Sequence, residues 1–356
     1  MKKILFITFN LNPYNQFSIN HAIPIFSAII DRNKWDVNFI TVREDNNSDD
    51  LLNDINKIDP DVIGYSCTYF DLKNINELSF QLKKYFQIAG GIGPTTTPDL
   101  FLNKTNLDGV VVGDGEIPLI QLLDAIYEVK SFNDIDGFYW KEKTIKNKLP
   151  KLIKLNNYPI PDYSIYINDN VFNSFSEFPV VISRGCPFMC NHCATPTMKK
   201  ILGLGSFRTY SPTKTIEILI HILFNFPNTK KIIFQDDVLI MNKKWFKEFS
   251  TIYKEKINLP YVAQARPRMI SIEICEQLKN SGCELIQIGV ESGSERIRKE
   301  ILNRDETNKD ILEKINLIKK TDIKIHIYTM IGLPTETKKE MKETFKLIKK
   351  IKPNDG

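Results

Sequence analysis

The sequence predicts an α/β chain of two domains: a doubly wound, Rossmann-like parallel sheet over residues 1–140, a linker over 141–177, and a parallel β/α barrel over 178–356. Three observations predict it. Apolar, β-rich runs alternate with helix-spaced segments through both halves. Most of those runs end in small or polar residues, and on parallel sheets the ligands gather at such strand ends. A chain of 356 residues, 42% hydrophobic, can also bury more than one core.

In the first half, residues 3–9 are the opening apolar run and residues 19–30 have helical spacing. Residues 35–42 read as a strand and 49–57 as a polar helix. Asp61-Val62-Ile63-Gly64-Tyr65-Ser66 is a buried strand, with a helix over 71–85 behind it. Residues 86–89 lead into Gly90-Gly91-Ile92-Gly93-Pro94. Gly109-Val110-Val111-Val112 leads into Gly113-Asp114-Gly115-Glu116, before a helix through Glu128. Glycines at such strand ends let backbone approach a large ligand. No G-x-G-x-x-G opens a helix after the first strand, which argues against a dinucleotide.

The second half begins with Phe178-Pro179-Val180-Val181-Ile182, a strand that delivers a loop with three cysteines. Pro212 stands at the first position of a helix over 213–226. Strands follow over 231–234, ending in Gln235-Asp236-Asp237, and over 261–266, ending at Arg266. Ser271 caps a helix to Ser281, and Leu285-Ile286-Gln287-Ile288-Gly289-Val290 runs into Glu291-Ser292-Gly293. Helices follow Ser294 and Thr307, the latter with a capping box to Asp310. A fifth strand, 324–330, ends in Gly332-Leu333-Pro334, and the last helix carries Met341, Phe345 and Ile348 on one face.

Cys186, Cys190 and Cys193 lie within eight residues of one another. Six cysteines in 356 residues, with no secretion signal, argue against a disulfide scaffold. A structural zinc site wants four ligands, often as two separated pairs. An electron-carrier cluster normally takes four cysteines, and Cys275 and Cys283 read as small core residues. Three close thiolates are therefore expected to hold three irons of a 4Fe–4S cluster and leave the fourth iron open.

The net charge of +5, from 48 basic and 43 acidic residues, is modest and dispersed. The densest basic stretch, residues 141–154, reads as a solvated hairpin and linker. No basic-aromatic module points to nucleic acid. Residues 1–9 are too short an apolar stretch for a signal peptide, and no run of eighteen apolar residues spans a membrane. Free thiols and an oxygen-sensitive cluster fit a cytoplasmic setting.

The spacing C-x3-C-x2-C over Cys186, Cys190 and Cys193 resembles the signature of the radical S-adenosylmethionine (radical SAM) enzymes. Four further segments agree in order: residues 234–237, 265–267, 289–295 and 331–337. The resemblance implies a partial (βα)6 barrel, here expected to lack its last strand because the chain stops at Lys352-Pro353-Asn354-Asp355-Gly356. It implies that SAM chelates the open iron and is cleaved to a 5′-deoxyadenosyl radical. By the same resemblance, His192 would pack on the adenine, and Asp236 and Asp237 would accept from the SAM amino group. Glu291 and Ser292 would contact the ribose, Arg266 the SAM carboxylate, and Gly332 and Pro334 the adenine edge. Arg208 is a candidate anchor for an anionic substrate. An electron donor such as a flavodoxin or ferredoxin is implied, and a small-molecule, natural-product-type substrate.

The first half resembles the cobalamin-binding domain that precedes many radical SAM domains. Ser66, Thr68, Gly90, Gly91, Thr95, Gly113 and Gly115 match that family's cofactor contacts. The Asp-x-His-x-x-Gly motif of many cobalamin proteins is absent, and His21 is expected to be a polar residue at a helix start rather than an axial ligand. The resemblance implies cobalamin-dependent C-methyl transfer. Radical rearrangement, cyclisation or sulfur insertion without cobalamin is the alternative within the class, and a non-catalytic cobalamin or iron–sulfur sensor is the alternative outside it.

Overall fold

The computed structural model describes residues 1–11, 19–44, 47–142, 145–203 and 207–354. Lys143 and Thr144 of the basic stretch, and Asp355 and Gly356, lie outside the described residues. The chain divides into two compact units: residues 1–169 with 197–204, and residues 170–196 with 205–356.

The first unit is built on strands β1 (Lys2–Asn10), β2 (Trp35–Arg43), β3 (Val62–Ser66), β4 (Phe86–Gly90), β5 (Gly109–Val111), β6 (Phe138–Trp140) and β7 (Ile145–Lys146). They form one sheet in the order β2-β1-β3-β4-β5-β6-β7, parallel through β5, with β6 and β7 added antiparallel. Ile4, Leu5, Phe6 and Ile7 are all buried. That continuous apolar run is what a parallel strand covered on both faces requires. Leu5, Ile7, Ile63, Tyr65, Ile75, Phe101 and Val110 share one core. The strand order reverses between β1 and β3, and a doubly wound sheet opens its ligand crevice at such a reversal.

The helix expected over 71–85 is shorter and broken at its start. Thr68 and Asp71 close a capping box on a single tight turn, Tyr69–Asp71, and the helix proper is Leu72–Gln81. After β4 the chain adds two short helices, Ile92–Thr96 and Pro98–Lys104, the second opened by Pro98.

The second unit contains β8 (Glu177–Val180), the ribbon of β9 (Ser183–Arg184) and β10 (Arg208–Thr209), then β11 (Lys231–Phe234), β12 (Tyr261–Ala265), β13 (Cys283–Glu291) and β14 (Lys324–Thr329). The main sheet is parallel in the order β8-β11-β12-β13-β14, so each successive strand is laid beside the last, as in a barrel opened along one seam. Pro179 lies in β8, an edge strand, where a missing donor is tolerated. The helices begin on the expected caps: Ser211 with Pro212 for Pro212–Asn225, Ser271 for Ile272–Ser281, and the Thr307/Asp310 box for Asn308–Ile318.

The helix expected after Ser294 is present but short, and it widens into a π-helix over Ile297–Ile301. One expectation fails here. The last helix, Lys338–Ile351, buries Glu340, Thr344, Leu347 and Ile351, leaving Phe345 56% exposed. Its inward face is polar at one end because Thr344 Oγ1 accepts from Gly293 N at 2.8 Å and Glu340 Oε1 accepts from Ser294 Oγ at 3.0 Å. Those bonds turn the helix away from the apolar stripe Met341–Phe345–Ile348.

Candidate active site

The cysteine loop is fixed at its entry by Asp236, at the end of β11. This carboxylate is 2% exposed and accepts from Ile182 N at 3.0 and 3.2 Å and from the Ser183 hydroxyl. Burial raises the Asp236 carboxyl to about 7, against the lowering effect of those donors. The outer side of the loop is stapled to the segment after the π turn. Asn191 N donates to Leu302 O at 3.1 Å, Asn191 Nδ2 to Ile301 O at 2.8 Å, and Asn303 Nδ2 to Met189 O at 2.7 Å.

Within that frame Cys186, Cys190 and Cys193 are half-buried and unpaired as disulfides. Cys186 lies close enough to feel charge on Cys190 and Cys193, and Cys190 to feel charge on Cys193. Thr195 N donates to Cys193 Sγ at 3.4 Å, and Arg266 Nη1 donates to Cys190 Sγ at 3.8 Å. Burial pushes Cys186 up to about 11, opposed by the Phe188 amide. Burial also raises Cys190, opposed by Arg266 and Arg304. Thiols of this kind lose their protons to a bound metal. Among the described residues no three His, Cys, Asp or Glu side chains converge as a single-ion site. Half-buried thiols with N–H donors aimed at their sulfurs suit an iron–sulfur cluster. Cys67, Cys275 and Cys283 are each at most 6% exposed and lie in the cores.

Around the loop, the strand ends of the second unit meet the expectations unevenly. Asp237 is exposed to solvent yet crowded by protein, so its carboxyl is raised by desolvation, with a Thr195 hydrogen bond opposing. Glu291 ends β13 with a left-handed backbone, φ 66°, and its Oε1 accepts from Arg304 Nη1 at 2.7 Å. His192 Nε2 lies 3.9 Å from the same oxygen, and burial lowers its pKa, with Glu291 opposing. Gly332 and Pro334 form an exposed turn closed by Glu336, whose Oε2 accepts from Gly332 N at 2.6 Å. Arg208 stands directly opposite Arg184 on the β9–β10 ribbon.

Three of the expected residues are engaged by the protein itself. Asp236 has both oxygens turned to the loop entry. Ser292 is fully buried, its Oγ accepting from Ser294 N at 3.2 Å. Arg266 is not an open fork. Its Nε and Nη2 donate to the two oxygens of Glu306 at 2.6 and 2.9 Å, and both residues are 6% exposed. Glu306, Arg304 and Thr195 are the site residues that the sequence reading missed. Residues 304–306, Arg-Asp-Glu, lie after a broken helix and carry no motif of their own.

In the first unit the C-terminal strand edge is lined by small residues. Ser66 Oγ accepts from Asn20 Nδ2 at 2.8 Å beside the strand-order reversal. Gly90, Gly113 and Gly115 are half-buried, Gly91 is exposed, and Gly113 has φ 95°. Such an edge presents backbone to a large flat ligand without bulky side chains in the way. Two hydroxyls expected at that ligand are otherwise engaged. Thr68 Oγ1 donates to Asp71 Oδ2 at 2.9 Å, and Thr95, 1% exposed, accepts from Gly113 N at 3.0 Å. His21 Nδ1 lies 3.1 Å from Tyr163 Oη.

A three-thiol loop on a sequential parallel sheet, preceded by a doubly wound sheet with a small-residue ligand edge, defines the class: a metal-cluster barrel enzyme with a nucleotide- or corrinoid-type domain ahead of it. The radical SAM superfamily model matches residues 180–348, and the B12 binding domain model matches residues 13–123. The chain therefore carries a B12 binding domain followed by a radical SAM domain. Its cofactors are accordingly a 4Fe–4S cluster, S-adenosylmethionine and cobalamin.

An uncharacterized methyltransferase of Pyrococcus horikoshii is 29% identical over 338 residues, covering 92% of this chain and 72% of that protein. The bacteriochlorophyllide d C-12(1)-methyltransferase of Chlorobaculum tepidum is 24% identical over 294 residues, covering 81% of this chain and 60% of that enzyme. The fold matches the radical SAM methyltransferase TsrM of Kitasatospora setae with a TM-score of 0.82 at 15% identity, over 100% of this chain and 72% of that one. It matches the cobalamin-dependent radical enzyme OxsB with a TM-score of 0.82 at 17% identity, over 98% of this chain and 52% of that one. The chain thus spans between about half and three quarters of the length of these proteins.

Proposed function

We propose that the protein is a cobalamin-dependent radical SAM methyltransferase that places a methyl group on an unreactive carbon of a small molecule. The observation that carries this reading is a loop supplying three thiols and no fourth, with the other three cysteines sequestered in the cores. Two relatives bear methyltransferase names, which favours methyl transfer over the other radical outcomes. When bound, the cluster and SAM supply the radical that takes a substrate hydrogen, and the corrinoid supplies the methyl group.

The chain's own residues hold and orient. Cys186, Cys190 and Cys193 hold three irons. Asp237 offers an acceptor to the SAM amino group, and Glu291, aimed by Arg304, offers one to the ribose hydroxyls. His192 lies beside Glu291 as a face for the adenine. Ser66 with Gly90, Gly91, Gly113 and Gly115 forms the cobalamin edge, and Arg208 is kept as a substrate anchor. A flavodoxin or ferredoxin supplies the electron.

Anaerobic reconstitution tests the reading. The loaded protein, reduced and given SAM, is expected to form 5′-deoxyadenosine and to show a corrinoid spectrum, and Cys186→Ala is expected to lose the first and keep the second. Identical product from wild type and Cys186→Ala rejects the radical reading. Lack of a corrinoid spectrum after supplementation removes cobalamin from it.

A further inference from the structure

The Arg266 guanidinium has four engagements, all within the second unit, the loosest being Asp305 Oδ1 at 3.9 Å from its Nη2. Its fork is closed on Glu306, its face lies 4.3 Å from the centre of the Phe188 ring inside the cysteine loop, and its remaining Nη1 points to Cys190 Sγ at 3.8 Å. Glu306 is held in turn: Arg304 Nε lies 3.8 Å from its Oε2, and the fully buried Arg298 donates through Nε to its backbone oxygen at 3.0 Å. To capture an outside carboxylate with two donors, Arg266 would have to abandon a buried ion pair, which is costly. A planar fork, a stacking face and a spare donor are features of arginine that lysine lacks.

We propose that Arg266 sets the reduction potential of the metal centre, by holding an N–H donor and a positive charge against the Cys190 sulfur, with Glu306 as the arm that aims it. The inference rests on the reading that the three thiolates bind a cluster. One-electron reduction, with the electron from an external donor, adds negative charge to the cluster and its sulfurs. Hydrogen bonds to sulfur and nearby charge are among the determinants of such potentials. A donor and a cation therefore stabilise the reduced form more than the oxidised one. Glu306 acts twice and in opposite senses, since it aims the guanidinium but also offsets its charge. Arg266 is a positioning and tuning residue here, acting through Cys190.

The two partners should therefore move the potential in opposite directions. The test is an anaerobic redox titration of the reconstituted full chain without SAM, followed by the electron paramagnetic resonance signal of the reduced cluster, with iron and sulfide content measured for each variant. Arg266→Gln is expected to lower the reduced-to-oxidised ratio at a given poise about tenfold, which is about 59 mV for one electron. Glu306→Gln keeps an acceptor for Nε but removes the offsetting charge, and is expected to raise that ratio. Arg266→Lys is expected to fall between wild type and Arg266→Gln. Should Arg266→Gln fail to assemble its cluster, the opposite displacements of Arg266→Lys and Glu306→Gln decide. Loaded variants with unchanged potentials, or with both partners shifting the same way, overturn this inference alone. A wild-type chain without cysteine-dependent iron overturns it together with the cluster reading.

Discussion

Asp236 illustrates how one side chain serves the site without facing it. An ionised carboxylate in a dry setting is unfavourable unless its donors offset the lost hydration. Here the donors of Ile182 and Ser183 at the loop entry offset only part of it, and the group sits at about 7. An unfolded Asp titrates near 3.9, so the folded value is raised. The stability that this group contributes is then fully present below about pH 4 and is lost as pH rises through about 7. Asp236→Asn keeps an acceptor for Ile182 N and removes the titration. Thermal unfolding across pH 4.5 to 8 should show wild type losing stability relative to Asp236→Asn as pH rises. Parallel curves for the two proteins would reject this account of the loop entry.

At the scale of elements, the loop after β13 and the last helix are interlocked through their backbones. A Cβ on Gly293 would lie 2.4 Å from Thr344 Cα and 2.5 Å from the carbonyl of Glu343, neither of which can swing aside. Overpacking of this kind typically costs about 1–3 kcal/mol. Gly293→Ala should therefore lower the unfolding free energy from denaturant titration by that order, with a lower midpoint, and should weaken the Gly293 N to Thr344 bond that holds the loop. An unfolding midpoint equal to wild type would show that the helix can move away. Much at this scale was legible. The parallel strands of both sheets, the Pro212 start, the Ser271 cap and the Thr307/Asp310 box all follow from local rules of sterics and hydrogen bonding, whereas the antiparallel β6 and β7 were not foreseen as part of the first sheet. What was not legible depended on partners far apart in sequence. Glu306 follows no periodic pattern, and only the fold brings it to Arg266, 40 residues earlier. The buried face of Lys338–Ile351 is likewise chosen by Gly293 and Ser294, not by its own apolar stripe.

At the scale of the molecule, the two units repeat one physical solution, a parallel sheet whose C-terminal edge is left to ligands. The residue sets do not overlap: the cysteines belong to the unit containing 170–196, and the small-residue edge to the unit containing 1–169. Among the described residues no helix is long and apolar enough to cross a membrane. Because the two residue sets belong to different units, the two cofactors should load independently. The triple replacement of Cys186, Cys190 and Cys193 by Ala should abolish iron while leaving the corrinoid absorbance and its binding isotherm as in wild type. Gly91→Ala should do the reverse. At φ 104° an added Cβ would lie 2.6 Å from the Cys67 carbonyl, forcing the β4 edge to shift while leaving the cysteine loop's own ties in place. Iron analysis, corrinoid spectra and circular dichroism on the same preparations measure both arms. Loss of corrinoid uptake in the folded, cysteine-free chain would mean that the sheet edges are energetically coupled, and that the separate residue sets understate how the protein assembles its site.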